Sequence, residues 1–159
     1  MKIRVGLGFD VHALRSEEEF YLGGIKLAHD KGTFGHSDAD VLIHAICDAL
    51  LGAANLRDIG YHFPPTDEQY KGIDSKKLLK KVVELIRSNG FEISNVDSTI
   101  ALEKPKVNPY IEEMKFTLAN CMDIDKEDIS IKATTTERLG FQGREEGVSA
   151  YSVVLLIKA

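Results

Sequence analysis

Asp10 and His12, in the stretch GFDVHAL, are the first residues of the chain whose types and spacing can do chemistry. Around them Ile3, Val5, Leu7, Phe9 and Val11 alternate with Arg4, Gly6, Gly8, Asp10 and His12. That is the period of a half-buried strand. Residues two apart on a strand point to one face, so the carboxylate and the imidazole stand side by side. Such a pair can hold a metal, relay a proton or simply pair on the surface. A second polar set is Ser37, Asp40, His44 and Asp48, spaced by three, four and four residues. On a helix this spacing makes one stripe, while Val41, Leu42, Ala45, Ile46, Ala49 and Leu50 fill the buried part.

If His44 reaches Asp10 and His12, three N/O ligands meet. Three protein ligands and an open position mark catalytic zinc, whereas structural zinc is closed by four, often with Cys. Spacing alone does not bring the strand and the helix together, and a helix with ordinary solvated polar groups is the plainer alternative. His36 and Ser37 precede the helix, whose N-terminal N–H groups and dipole suit a phosphate. Near the end, KATTTERLGFQGREEG (residues 132–147) sets three threonines before Glu137 and Arg138. A hard cation such as Mg²⁺ takes one or two carboxylates plus phosphate oxygens, which Glu137 can supply. EKPKV (residues 103–107) is a lysine-bearing proline turn and says little by itself.

The elements that must position these residues read as follows. Strands are expected over 3–12, 92–103, 129–135 and 148–158, and a strand or hairpin over 19–27 turning at Gly23-Gly24. Helices are expected over 38–54, with Ser37 as N-cap, over 75–88, ending at Asn89-Gly90, and over 109–121, opened by Pro109. The last strand is apolar through its centre, which places it centrally in a sheet. Residues 55–73 form a long loop, and loops of that length are often functional. Strands alternating with helices imply one α+β or α/β domain over 1–159, a mixed sheet with helices on one face.

Bulk properties narrow the partners. With 159 residues the chain can bury a real core. A net charge of −5 argues against a general nucleic-acid binder. Cys47 and Cys121 form no CxxC pair and read as buried thiols in a reducing compartment. No apolar run approaches a membrane span, and no targeting segment precedes the first strand. This implies a cytoplasmic protein if the source is bacterial, or a plastid type whose transit peptide has been removed.

GFDVHAL, GHSDADVLIHAICDALLGAA, RDIGYHFPPTD, KPKV and KATTTERLGFQGREEG occur in that order over nearly the whole chain. Together they resemble the motifs of the 2-C-methyl-D-erythritol 2,4-cyclodiphosphate synthase family. The resemblance implies a lyase of the non-mevalonate isoprenoid route. Its reaction turns 4-diphosphocytidyl-2-C-methyl-D-erythritol 2-phosphate into the cyclic diphosphate and CMP. It implies Zn²⁺ on Asp10, His12 and His44, and Mg²⁺ or Mn²⁺ on Glu137. His36 and Thr135 would stabilise the transition state, and Ser37 would touch phosphate. Asp58, Gly60, Phe63 and Asp67 would hold the erythritol part. Lys106, Ala133, Thr134 and Thr136 would hold the cytidine diphosphate part. The resemblance also implies a homotrimer with active sites between subunits, so that 36–67 and 102–137 come from different neighbours. An axial cavity, near Phe9, Phe141, Arg144 and Glu146, would take an isoprenoid diphosphate. Two departures are FPPTD, where many relatives have FPDTD, and Gly35 in place of a small Ala. Rival readings are a zinc-dependent phosphohydrolase, which would release inorganic phosphate, and a non-catalytic trimeric module binding nucleotide or isoprenoid.

Overall fold

The computed structural model describes residues 1–158. Seven strands and five helices follow in the order β1 (Lys2–Ser16), β2 (Phe20–Leu22), β3 (Ile25–Leu27), β4 (Lys31–Phe34), α1 (Val41–Ala53), α2 (Ile59–His62), α3 (Ser75–Ser88), β5 (Glu92–Ala101), α4 (Ile111–Met122), β6 (Ile129–Thr134), α5 (Gly140–Gly143) and β7 (Gly147–Lys158). The main sheet has the order β4-β1-β7-β5-β6. All its pairings are antiparallel except β5 with β6, so the sheet is mixed. β7 lies at the centre, as its apolar run implies, and β2 and β3 form a separate hairpin turning at Gly23-Gly24. Among the described residues no helix is long and apolar enough to cross a membrane.

The sheet and α1 meet on the face opposite to the one the alternation suggests. Ile3, Val5, Leu7, Phe9 and Val11 are the exposed side of β1, with Val5 and Leu7 each 67% exposed. Tyr151 and Val153 of β7 continue this open apolar face, Phe9 opposite Tyr151 and Leu7 opposite Val153. The even side, with Gly6 and Gly8, is covered by α1. Cβ atoms there would lie 1.9 Å from the Ala49 carbonyl oxygen and 1.8 Å from that of Ala45, so only glycine admits the helix. Alternation identifies which residues share a face; here the larger apolar side chains face outward, uncovered among the described residues.

Ten of the thirteen residues of α1 are buried, the exceptions being His44, Asp48 and Gly52. Its N-cap is Asp40, not Ser37: Asp40 Oδ1 accepts the Ile43 N–H at 3.0 Å. Asp40 is fully buried and also accepts the Gly23 and Gly24 N–H groups at 2.9 and 2.7 Å, so it ties the β2–β3 turn to the helix. Its place in the polar stripe is therefore architectural. The helix at 75–88 has the expected limits, with Asp74 as cap. Cys47 and Cys121 are free and buried. Three elements escape the periodicity: β4, four residues with a glycine, α2, one turn inside the long 55–73 loop, and α5, one turn before β7.

Candidate metal centre and its pockets

Asp10 and His12 leave β1 on the side facing α1, and His44 meets them from the helix. Asp10 Oδ2 stands 3.0 Å from His12 Nε2 and 3.0 Å from His44 Nδ1. The two ring nitrogens are 3.1 Å apart. All three ligand atoms lie within 4.8 Å of one another, a group that can hold a metal ion. Burial would raise the Asp10 carboxyl, but hydrogen bonds and charge from His12 and His44 outweigh it and hold it down at about 2. Burial opposes protonation of His12, yet Asp10 and the Phe34 carbonyl together raise its pKa above the ordinary value.

Each imidazole is held by its other nitrogen. His12 Nδ1 lies 3.1 Å from the Phe34 carbonyl oxygen. His44 Nε2 lies 3.1 Å from Ser37 Oγ and 3.0 Å from Ser75 Oγ. With those nitrogens as donors, Asp10 Oδ2, His12 Nε2 and His44 Nδ1 all turn lone pairs to a common point. The donor set, two imidazoles and a carboxylate, therefore fits a borderline cation that keeps an open position.

A cavity of about 190 Å³ opens beside the histidines, lined by His12, His36, Ser37, His44, Ile59, Gly60, Phe63, Pro65, Tyr70, Ile73 and Leu78. The structure thus brings His36, Ser37, Gly60 and Phe63 to the metal group, with Pro65 of the FPPTD loop in the wall. Asp58 and Asp67 do not line it. Asp67 caps the turn Glu68–Tyr70 and accepts the Gln69 N–H at 3.1 Å. Ile59, Tyr70, Ile73 and Leu78 are wall residues that no motif singled out. Asp48, one turn beyond His44, accepts the Ile59 N–H at 2.7 Å and so fixes the start of α2. Burial chiefly raises the Asp48 carboxyl, aided by Asp58 and Asp10.

A separate cavity of about 270 Å³ is lined by Leu102, Pro105, Lys106, Val107, Asn108, Ala133, Thr134 and Thr135. The Leu102 N–H donates to the Thr134 carbonyl at 3.0 Å and joins its two walls. Thr136 Oγ1 donates to the Leu139 carbonyl at 2.6 Å. Glu137 and Arg138 both take left-handed backbone (φ 54° and 63°), which is uncommon for residues with side chains. Glu137 is exposed, and Arg144 pairs with Glu146 at 2.9 Å. Among the described residues, neither 102–108 nor 133–144 lines the cavity beside the metal group. A third cavity, about 380 Å³, shares Ser37 with it but is walled by Glu18, Glu19, Asp38, Asp74 and Lys76 and, among the described residues, carries no ligand triad.

Comparison with known proteins gives the chain a family. The YgbB family model matches residues 3–157. The 2-C-methyl-D-erythritol 2,4-cyclodiphosphate synthase of Parabacteroides distasonis is 65% identical over 156 residues, covering 98% of this chain and 97% of that protein. The bifunctional IspDF of Campylobacter jejuni superposes with a TM-score of 0.96 at 40% identity, over 99% of this chain and 43% of that longer one. A Plasmodium falciparum IspF complex with CDP gives 0.87 at 31% identity, over 98% and 96% of the two chains. With a full-length family match and relatives this similar, the chain belongs to the YgbB family.

Proposed function

We propose that the chain is a phosphorus–oxygen lyase that converts 4-diphosphocytidyl-2-C-methyl-D-erythritol 2-phosphate to 2-C-methyl-D-erythritol 2,4-cyclodiphosphate and CMP. The observation that carries this reading is the Asp10–His12–His44 group opening onto a cavity, in a chain 65% identical to synthases of that name. An oxygen of the 2-phosphate bonds to the β-phosphorus. The bond from that phosphorus to the oxygen bridging the two phosphates breaks, and CMP leaves with the electron pair. Nucleophile and electrophile are in one anionic molecule, so the protein must chiefly position them in line and offset charge.

The residues divide that work. Asp10, His12 and His44 would hold Zn²⁺, whose preference for N/O donors and an open position they match. Glu137, an exposed carboxylate, would hold Mg²⁺ or Mn²⁺ with phosphate oxygens completing the shell. Bound there, the cations supply positive charge against that developing on the transferring phosphoryl group. His36 and Thr135 donate to phosphoryl oxygens in the transition state, and Ser37 binds phosphate. Gly60 and Phe63, with Asp58 and Asp67 on the same loop, enclose the methylerythritol. Lys106, Ala133, Thr134 and Thr136 hold the cytidine end; that a cytidine nucleotide is bound at all is supported by the CDP complexes of related structures.

The two cavities share no lining residue, and reading them as halves of one site contributed by different copies is the argument for a homotrimer with sites between subunits. The open face of β1 and β7 supplies apolar surface for that contact. Phe9, Phe141 and Arg144 would border an axial cavity able to take an isoprenoid diphosphate. The bacterial source of the curated relative supports a cytoplasmic place, and the single buried core running from β1 to β7 supports one domain.

The test is ³¹P NMR of the protein with this substrate, Zn²⁺ and Mg²⁺. CMP and a cyclic diphosphate without inorganic phosphate are expected. Inorganic phosphate would instead assign a zinc-dependent phosphohydrolase.

A further inference from the structure

Of the two histidines in the metal group, His12 is oriented by a backbone carbonyl, while His44 depends on side chains. His44 Nε2 faces two hydroxyls, Ser75 Oγ at 3.0 Å and Ser37 Oγ at 3.1 Å. Resting on the metal reading above, we propose that Ser75 and Asp38 are positioning residues that fix the ring and the tautomer of His44. Neither belongs to the motif residues assigned to binding or chemistry.

The polarity of the pair carries the argument. The Ser75 hydroxyl donates to Asp38 Oδ1, and the Ser75 N–H donates to Asp38 Oδ2 at 2.8 Å. A hydroxyl whose hydrogen is committed to a carboxylate presents a lone pair to its other neighbour. Ser75 Oγ therefore accepts from His44 Nε2–H, and the lone pair of Nδ1 is left for the metal side. Ser37 Oγ accepts the Ala39 N–H at 3.1 Å, and among the described residues no acceptor other than His44 itself faces its hydrogen. It can turn either way and enforces no tautomer.

The pair is also immobile. Ser75 is fully buried at the first turn of α3, so water does not replace its hydroxyl. Asp38 is tied through its backbone N–H to the Ile73 carbonyl at 3.1 Å, and its Oδ1 accepts the Asp40 N–H at 3.1 Å. A carboxylate commonly orients a metal-bound histidine directly. Here a buried hydroxyl is inserted between them, and α3 becomes part of the metal site without contributing a ligand.

The test is zinc affinity of the full chain, by competition with a chelating dye, for the native sequence, S75A, D38N and S37A. Visible spectra of the cobalt-substituted proteins and melting of the metal-free proteins accompany it. In D38N a single amide oxygen cannot accept from the Ser75 hydroxyl, the Ser75 N–H and the Asp40 N–H together, so the lock on the hydroxyl is released with little change of side-chain size. Expected is a loss of affinity of roughly 10- to 100-fold in S75A and D38N, with an altered cobalt spectrum in both. If S75A does not fold, D38N alone decides. Unchanged affinity and spectrum in D38N, or a loss confined to S37A, would overturn the proposal while leaving the metal site standing. Failure of the native chain to hold one zinc would overturn the metal reading and the proposal with it.

Discussion

Gly8 lies directly beneath the carbonyl of Ala45, so close that a Cβ would stand 1.8 Å from that oxygen. Ala45 is the neighbour of His44, and Gly8 is two residues from Asp10. The contact therefore sets the distance between the strand ligands and the helix ligand. Gly8→Ala is expected to lift α1, costing about 1–3 kcal/mol as overpacking does and loosening zinc binding. Thermal melting and zinc content of the purified variant check both. Gly52→Ala, on the same helix with open space around it, is expected to be neutral or to stabilise by roughly 0.5–1 kcal/mol.

How much of this was legible beforehand depends on the residue. The ligand types and the helix at 75–88 were readable, because Asp74 caps a strongly amphipathic stretch. The meeting of His44 with Asp10 was not, because it depends on a glycine face whose inward direction alternation cannot assign. Ser75 looked like an ordinary helix start; its bond to His44 spans 31 residues, and no local pattern encodes that. Asp40 sat in the right stripe for chemistry and proved to be a buried cap.

His44→Ala is expected to abolish stoichiometric zinc binding while the fold persists, since His44 is at the edge of the core rather than within it. Elemental analysis with circular dichroism separates the two. Glu137→Ala is expected to keep zinc and to lose its response to Mg²⁺, followed as CMP release over a Mg²⁺ titration. Retained Mg²⁺ response would remove Glu137 from that role.

Asp48 gives a pH signature. Burial raises its carboxyl in the folded state above the ordinary value of 3.8. The ionised form is thus disfavoured by folding, and stability falls as pH rises through the raised pKa. Asp48→Asn keeps an acceptor for the Ile59 N–H and removes the charge. Its melting temperature is expected to exceed that of the native chain at pH 7, and the difference to shrink as pH falls through the raised pKa, levelling off below the ordinary value of 3.8. Melting curves from pH 3 to 8 read it directly; a difference that grows toward acid would contradict this account.

Leu7→Glu places a charge in the middle of the open face of β1, opposite Val153. The intact subunit fold is expected to survive, because Leu7 is 67% exposed within one chain. Self-association and turnover are expected to fail together, measured by sedimentation and by CMP release. An active monomer would refute a site shared between subunits.

That open face has a consequence for the life of the chain in the cell. In the proposed trimer, a newly made subunit would display the apolar row of Phe9, Leu7 and Val5 until it met its own kind, so its safety from clumping would depend on how quickly copies find each other. Expression level would then act on the enzyme twice, through the number of subunits and through the fraction assembled. Halving synthesis would lower output by more than half wherever the subunits are near their dissociation point.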